Sequence, residues 1–259
     1  MKWFVPLLCA GLLLGLPLAA QPKHPTQFSV IPDPLKAGQE LAAKLRATVP
    51  AQNAEFTGKF IIVTEGGRIA EVPVASKTSV GPTNWQVVYQ TFDRSGAPLE
   101  SLRIVHIPGR PNGYYFTPDS QKVSPRAMSS AELSQPLGGS DFWLMDLGLD
   151  FLHWPGQRLL RNEMRRTRPC YVLESTQPNA STGQYSRVIS WIDTAIIDRE
   201  GVGLIRAEAF DLLGKLLKEF NVGKFRKLDG QWQLQDMKIT SEKTGQETEL
   251  KLDLRKKGV

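Results

Sequence analysis

Cysteine is almost missing from this chain: two occur in 259 residues, Cys9 and Cys170. Cys9 lies in an apolar leader that is expected to be removed, so a mature chain would keep one thiol and no internal disulfide. Stability must then come from buried apolar area, and 41% hydrophobic residues are enough for that. Histidine is scarce too, with three: His24, His106 and His153. The chain has no Gly-x-Ser-x-Gly elbow, no His-Glu-x-x-His, no Cys-x-x-Cys and no Gly-x-Gly-x-x-Gly. These absences remove the usual signatures of a hydrolase, a zinc enzyme, a thiol oxidoreductase and a dinucleotide enzyme. No catalytic residue, metal ligand set or cofactor is assigned. The net charge of +6 is modest for this length. A nucleic-acid binder would cluster far more basic charge on one face, so no nucleic-acid partner is expected.

There is also no apolar run long enough for a membrane-spanning helix, which needs about 20 residues. The longest, Phe4 to Leu18, is interrupted by Pro6 and Pro17. It follows Lys2 and precedes Ala19-Ala20-Gln21, which is the pattern of a cleavable secretory signal peptide. Cleavage after Ala20 is expected, leaving residues 21–259 as a single domain in the periplasm. Cys9 is too far from the cleavage site to be a lipid-attachment cysteine.

What is present is mostly alternation. Asp33-Pro34 reads as an N-cap with proline in the first turn. Leu41, Leu45 and Val49 follow at four-residue spacing, predicting a short helix over 34–48. Beyond it, period two predicts strands at 57–64, 85–92, 101–107, 170–174, 186–193, 203–211, 215–224, 232–240 and 247–254. Glu65-Gly66-Gly67, Asp93-Arg94-Ser95-Gly96, Asp229-Gly230 and Lys243-Thr244-Gly245 supply turns between them. The last strand puts Thr248, Leu250, Leu252 and Leu254 on one face and Glu247, Glu249, Lys251 and Asp253 on the other. Such a sheet has one wet and one buried face. Residues 118–139 read as loop with at most one helical turn.

Residues 140–154, SDFWLMDLGLDFLHW, are predicted to form a second helix, apolar over nearly its whole circumference. It is either an ordinary core helix or a lid over an apolar cavity. Asp146, Asp150 and His153 would share a stripe at i, i+4 and i+7. A metal site needs three or four converging ligands, and no further His or Cys is placed to join them. The stripe is therefore expected to face solvent. Cys170 is expected to be a buried, inert thiol. The nearby Arg158, Arg161, Arg165, Arg166 and Arg168 read as a solvated strand face or as a contact for anionic lipid.

The run Gly139-Ser140-Asp141-Phe142-Trp143-Leu144, with Phe151-Leu152-His153-Trp154-Pro155-Gly156-Gln157, resembles bacterial outer-membrane lipoprotein-sorting proteins of the LolA-like superfamily. Arg168-Pro169-Cys170-Tyr171-Val172-Leu173-Glu174-Ser175, Ser190-Trp191-Ile192-Asp193 and Arg206-Ala207-Glu208-Ala209-Phe210-Asp211 extend the likeness. The resemblance implies a mainly β (α+β) fold: a curved, incomplete antiparallel β-barrel, or half-barrel, covered on its concave face by short helices. It also implies a non-enzymatic periplasmic carrier for the acyl chains of a lipoprotein or another lipid. Such a carrier passes cargo from an inner-membrane donor protein to an outer-membrane acceptor protein. Phe142, Trp143, Leu147, Phe151 and Trp154 are then the lid contacts, and Phe60, Ile62, Val87, Tyr89 and Leu250 the sheet contacts. No arginine of this sequence matches the one that locks the lid in that family. A rival reading of the same fold is an envelope sensor or assembly module that binds a protein and transports no lipid.

Overall fold

The computed structural model describes residues 30–119, 122–165, 167–197, 203–228 and 231–254. The proposed signal peptide and the Asp229-Gly230 turn lie outside them. The chain begins with helix α1 (Pro34–Arg46), capped by the Asp33 carboxylate, which accepts from the Lys36 N–H at 3.0 Å. Six strands follow as a meander: β1 (Ala54–Val63), β2 (Ile69–Val80), β3 (Trp85–Phe92), β4 (Pro98–His106), β5 (Gly113–Thr117) and β6 (Arg126–Ala127). Seven more form a second meander: β7 (Gly156–Arg165), β8 (Arg168–Thr176), β9 (Arg187–Asp193), β10 (Leu204–Phe210), β11 (Leu216–Leu228), β12 (Gln231–Ser241) and β13 (Glu247–Asp253). A four-residue helix, α2 (Leu144–Leu147), lies between the meanders, and another, α3 (Thr194–Ile197), follows β9.

All thirteen strands join one curved antiparallel sheet in the order β6-β5-β4-β3-β2-β1-β13-β12-β11-β10-β9-β8-β7. The meanders meet where β1 pairs with β13, with Phe60 opposite Leu250 and Ile62 opposite Thr248. β6 and β7 do not pair, so the barrel stays open and its edges face apart in the order. The expected incomplete barrel is what forms.

Alternation decides which side is buried. Register carries a row of side chains across the concave face: Phe116, Leu102, Tyr89, Ser76 and Phe56 in the first meander. A parallel row runs Leu250, Met237 and Val222 in the second. Leu102, Leu250, Ile104, Phe60 and Ile239 are almost fully buried. The phase assigned to the last strand holds, with Thr248, Leu250 and Leu254 buried and Lys251 and Asp253 exposed.

Four strands were not foreseen: β2, β5, β6 and β7. β2 carries Pro73, which cannot donate to a ladder, and its buried phase includes Ser76. β5 and β6 are short, and β7 carries three arginines in ten residues. Their partners, more than their own composition, hold them in the sheet.

α1 packs on β7 through Leu41, Ala42 and Leu45. Gly38 makes that approach possible, since a Cβ there would stand 2.5 Å from the Arg158 Cα.

The single helix predicted for residues 140–154 is replaced by three pieces. Residues 135–144 double back as a finger, with Leu137 N–H donating to Phe142 O and Leu144 N–H to Gln135 O. Gly138 and Gly139 turn its tip with φ of 62° and 68°. α2 then gives one turn, Leu149 breaks it at φ 49° and ψ 45°, and Asp150–His153 form a 3-10 turn. The reason is burial on every side. A helix apolar all round would meet one wall with one face, whereas this folded connection meets the sheet, α1 and its own residues separately. The Asp146, Asp150 and His153 stripe is accordingly not solvated: Asp146 is 2% exposed and the other two are half-buried.

Candidate functional site

The connection between β6 and β7 must travel from one edge of the sheet to the other, and it does so across the concave face. At its finger the contact is dense. The Phe142 ring lies 5.4 Å from Phe60, centroid to centroid, and Gly138 N–H donates to the Glu100 carboxylate at 2.6 Å. Asp141 reaches β13, where Thr248 Oγ1 donates to its carboxylate at 2.7 Å.

A buried polar knot follows. Lys218 of β11 is 3% exposed, and its ammonium donates to the Asp141 carbonyl at 2.5 Å and to Asp146 Oδ2 at 3.5 Å. The ammonium also sits 3.7 Å from the centre of the Trp143 ring, which stacks on Tyr185 at 4.5 Å. Asp146 Oδ2 further accepts from the Trp143 backbone N–H at 2.8 Å and the Tyr185 hydroxyl at 3.4 Å. Burial pushes the Asp146 carboxyl upward and the Lys218 ammonium down to about 8, and their mutual attraction opposes both shifts. Lys218 thus ties the connection to the sheet. Sequence reading missed it because a lysine in an alternating strand looks like a solvent-facing residue.

Beyond Gly148 the face is not filled. A cavity of about 220 Å³ opens between the sheet and the connection. Its sheet wall includes Phe56, Val87, Tyr89, Leu250 and Leu252, and its cover includes Leu147, Leu149 and Leu152. The lining also includes Leu45 and Arg46 of α1, the polar Thr48, Ser76 and Thr78, and Trp85, His106 and His153. The Trp85 and His106 rings stack at 3.7 Å. Burial lowers His106 and His153 to about 4 and raises the Tyr89 phenol to about 12.

The residues singled out from sequence divide accordingly. Leu147, Val87, Tyr89 and Leu250 line the cavity. Phe60, Ile62 and Phe142 belong to the packed core, and Trp143 to the lysine knot. Phe151 and Trp154 are buried beside β7, whose Gln157 amide donates to both their carbonyls.

This geometry can be set beside known proteins. A family model described as an uncharacterized protein matches residues 95–257. The chain belongs to that family. The model covers the last three strands of the first meander, the whole connection and the second meander. Among solved structures, a DUF1329 family protein from Desulfovibrio piger aligns with 88% of this chain and 95% of its own, at 19% identity and a TM-score of 0.70. A domain from Vibrio parahaemolyticus, named as an outer membrane lipoprotein-sorting protein, aligns over 87% and 94% at 21% identity and a TM-score of 0.69. A LolA superfamily protein from Nitrosomonas europaea aligns over 85% and 91% at 19% identity and a TM-score of 0.57. The fold is LolA-like. Comparison with curated proteins returned no match.

The opposite sheet face carries a small second cluster. The guanidinium groups of Arg165 and Arg206 stand 5.0 and 5.7 Å from the centre of the Trp191 ring, whose indole N–H donates to Glu163. Cys170 is buried in this cluster at 1% exposure. Burial, with Asp193 and Glu163 nearby, raises its thiol to about 11, which opposes thiolate chemistry. Of the basic residues there, Arg168 pairs with Asp193 at 3.2 Å and Arg161 with Glu163 at 2.7 Å. Arg166 lies outside the described residues. Among the described residues no helix is long and apolar enough to cross a membrane, and no group of three or more His, Cys, Asp or Glu could hold a metal ion.

Proposed function

We propose that this protein is a non-enzymatic carrier that shelters an acyl chain of a lipid or lipidated protein in the cavity between the sheet and residues 147–153. On this reading residues 1–20 export it, and it works in the periplasm between donor and acceptor proteins of the two membranes. The observation that carries the proposal is the cavity itself. Protein interiors are close-packed, and an apolar void forfeits dispersion contacts on its lining. An engineered apolar cavity of about 150 Å³ stays dry and takes up benzene. The space here is larger, opens to the surface and has a mostly apolar lining that suits part of an acyl chain; each methylene moved out of water contributes about 0.8 kcal/mol.

At about 220 Å³ the cavity is small for a multi-chain cargo, so such a cargo requires the cover to move. Gly148 and Leu149 are the natural pivot. They separate the stretch tied by Lys218 from the Asp150–His153 turn, which is held by the Arg46 guanidinium donating to the Leu152 carbonyl. The likeness to a domain named for lipoprotein sorting supports the reading.

The test is mass spectrometry of an organic extract from natively purified mature protein, compared with Val87→Trp. The indole would occupy the cavity without disturbing the lysine knot. Stoichiometric lipid in the wild type and its loss from a variant with unchanged circular dichroism is the expected result. A wild type that carries no lipid, and takes none from vesicles, would overturn the proposal.

A further inference from the structure

The cavity does not open onto neutral ground. Two further recesses, of about 250 and 170 Å³, adjoin its mouth where α1, the turn after β4 and the Asp150–His153 turn come together. Arg46 and His153 line all three spaces. His106 lines two of them, the cavity and the smaller recess, and Arg110 lines both recesses. Not one of the residues lining the three is an aspartate or glutamate. Among the described residues, neither Arg46 nor Arg110 forms an ion pair. The Arg46 guanidinium donates to the Leu152 carbonyl, a neutral acceptor, which leaves other N–H groups of its fork for a ligand.

The groups also face one another. Arg46 depresses His153, and His153 depresses His106, in each case adding to the effect of burial. Lys218 has Asp146 beside it, and Arg206 has Glu208 and Glu219. No such carboxylate lines the mouth. Uncompensated positive charge at the rim of a low-dielectric recess focuses the field and attracts an anion. Guanidinium groups match the planar fork of a carboxylate and the oxygens of a phosphate.

We propose that this site takes single-chain amphiphiles with an anionic head, the tail among Val87, Leu147 and Leu250 and the carboxylate or phosphate at Arg46 and Arg110. This rests on the acyl-cavity reading and narrows its ligand class. A lipid with a neutral head would fill the same tail space without answering the charge at the rim.

Isothermal titration calorimetry of the mature chain tests it with three probes below their aggregation limits: decanoate, decan-1-ol and inorganic phosphate. Decanoate is expected to bind about tenfold more tightly than decan-1-ol, a difference of about 1.4 kcal/mol. Arg110→Gln changes an exposed side chain and is expected to bring that ratio close to one while leaving decan-1-ol affinity unchanged. Arg46→Gln should do the same, with circular dichroism to confirm the fold. Equal affinity for the acid and the alcohol would overturn the head-group assignment and leave the acyl cavity standing. Failure of both to bind would overturn the cavity reading as well. Phosphate binding as tightly as decanoate would also overturn the amphiphile assignment, because the tail would then contribute nothing. Decyl phosphate, run alongside, shows which of the two head chemistries the arginines prefer.

Discussion

One concave wall serves two purposes in this molecule. Under the finger, Phe60, Phe142, Trp143 and Tyr185 fill the space and Lys218 ties the connection down. Under residues 147–153, the same sheet faces a cavity with an arginine- and histidine-lined mouth. Both halves of the cover are equally apolar in sequence. The difference lies in what holds them: a buried ion pair on one side, and on the other hydrogen bonds to backbone carbonyls, from Arg46 to Leu152, Gln157 to Phe151 and Asn112 to Gly148. An apolar segment is thus core or cover according to how it is fastened.

The comparison is tested most severely at the knot. Asp146→Ala leaves an unpaired ammonium in the core and should lower stability by about 3–5 kcal/mol, read from urea unfolding. Asp146→Leu combined with Lys218→Met should recover most of that loss, because apolar replacement of a buried pair is often neutral. A single substitution that costs nothing would show that the finger is not fastened there. Truncating the filled side by Phe142→Ala should cost about 3–5 kcal/mol, whereas Leu147→Ala at the cavity should stay below about 2 kcal/mol. Similar losses at both positions would remove the distinction between core and cover.

The mouth should answer to acid. His106 and His153 fall from 6.5 to about 4 on folding. Between those values the unfolded chain binds protons that the folded chain does not, so stability falls as pH drops from 6.5 toward 4. Replacing both by glutamine should flatten the unfolding midpoint across that window. The smallest effect is expected at the pivot. Leu149→Gly relieves a left-handed residue, worth about 1–2 kcal/mol, but adds glycine's backbone entropy and removes an apolar side chain. The net change in melting should be slight, while lipid uptake, if Leu149 is the pivot, should become faster.

Most strands could be read from alternation because the sheet has one wet face, and the pattern of Thr248, Leu250 and Leu254 survives in the structure. β2, β5, β6 and β7 could not, since proline, shortness and arginine conceal a strand that its neighbours impose. The cover was visible as an unusual segment, but its shape was not. Gly148 and Leu149 gave no helix-breaking signal strong enough to outweigh the surrounding apolar run. The sheet-side contacts were half legible for a related reason: period two pairs Phe60 with Ile62 and Val87 with Tyr89 on shared faces, but does not tell which face turns inward or where the packing stops. Lys218 was invisible, because its role depends on a partner 72 residues away.

The pairing of β1 with β13 has a consequence for how the molecule is made. The first and last strands meet in the middle of the sheet, Phe60 against Leu250. Each meander can zip up from local hairpins, but the seam between them joins residues separated by nearly the whole chain, a contact that forms slowly. Until β13 arrives, β1 is an open apolar edge, and such edges are sites of aggregation. A chain lost from Glu247 onward would keep both meanders and still leave the sheet divided in two. Folding therefore depends on guarding that one edge until the last strand is in place.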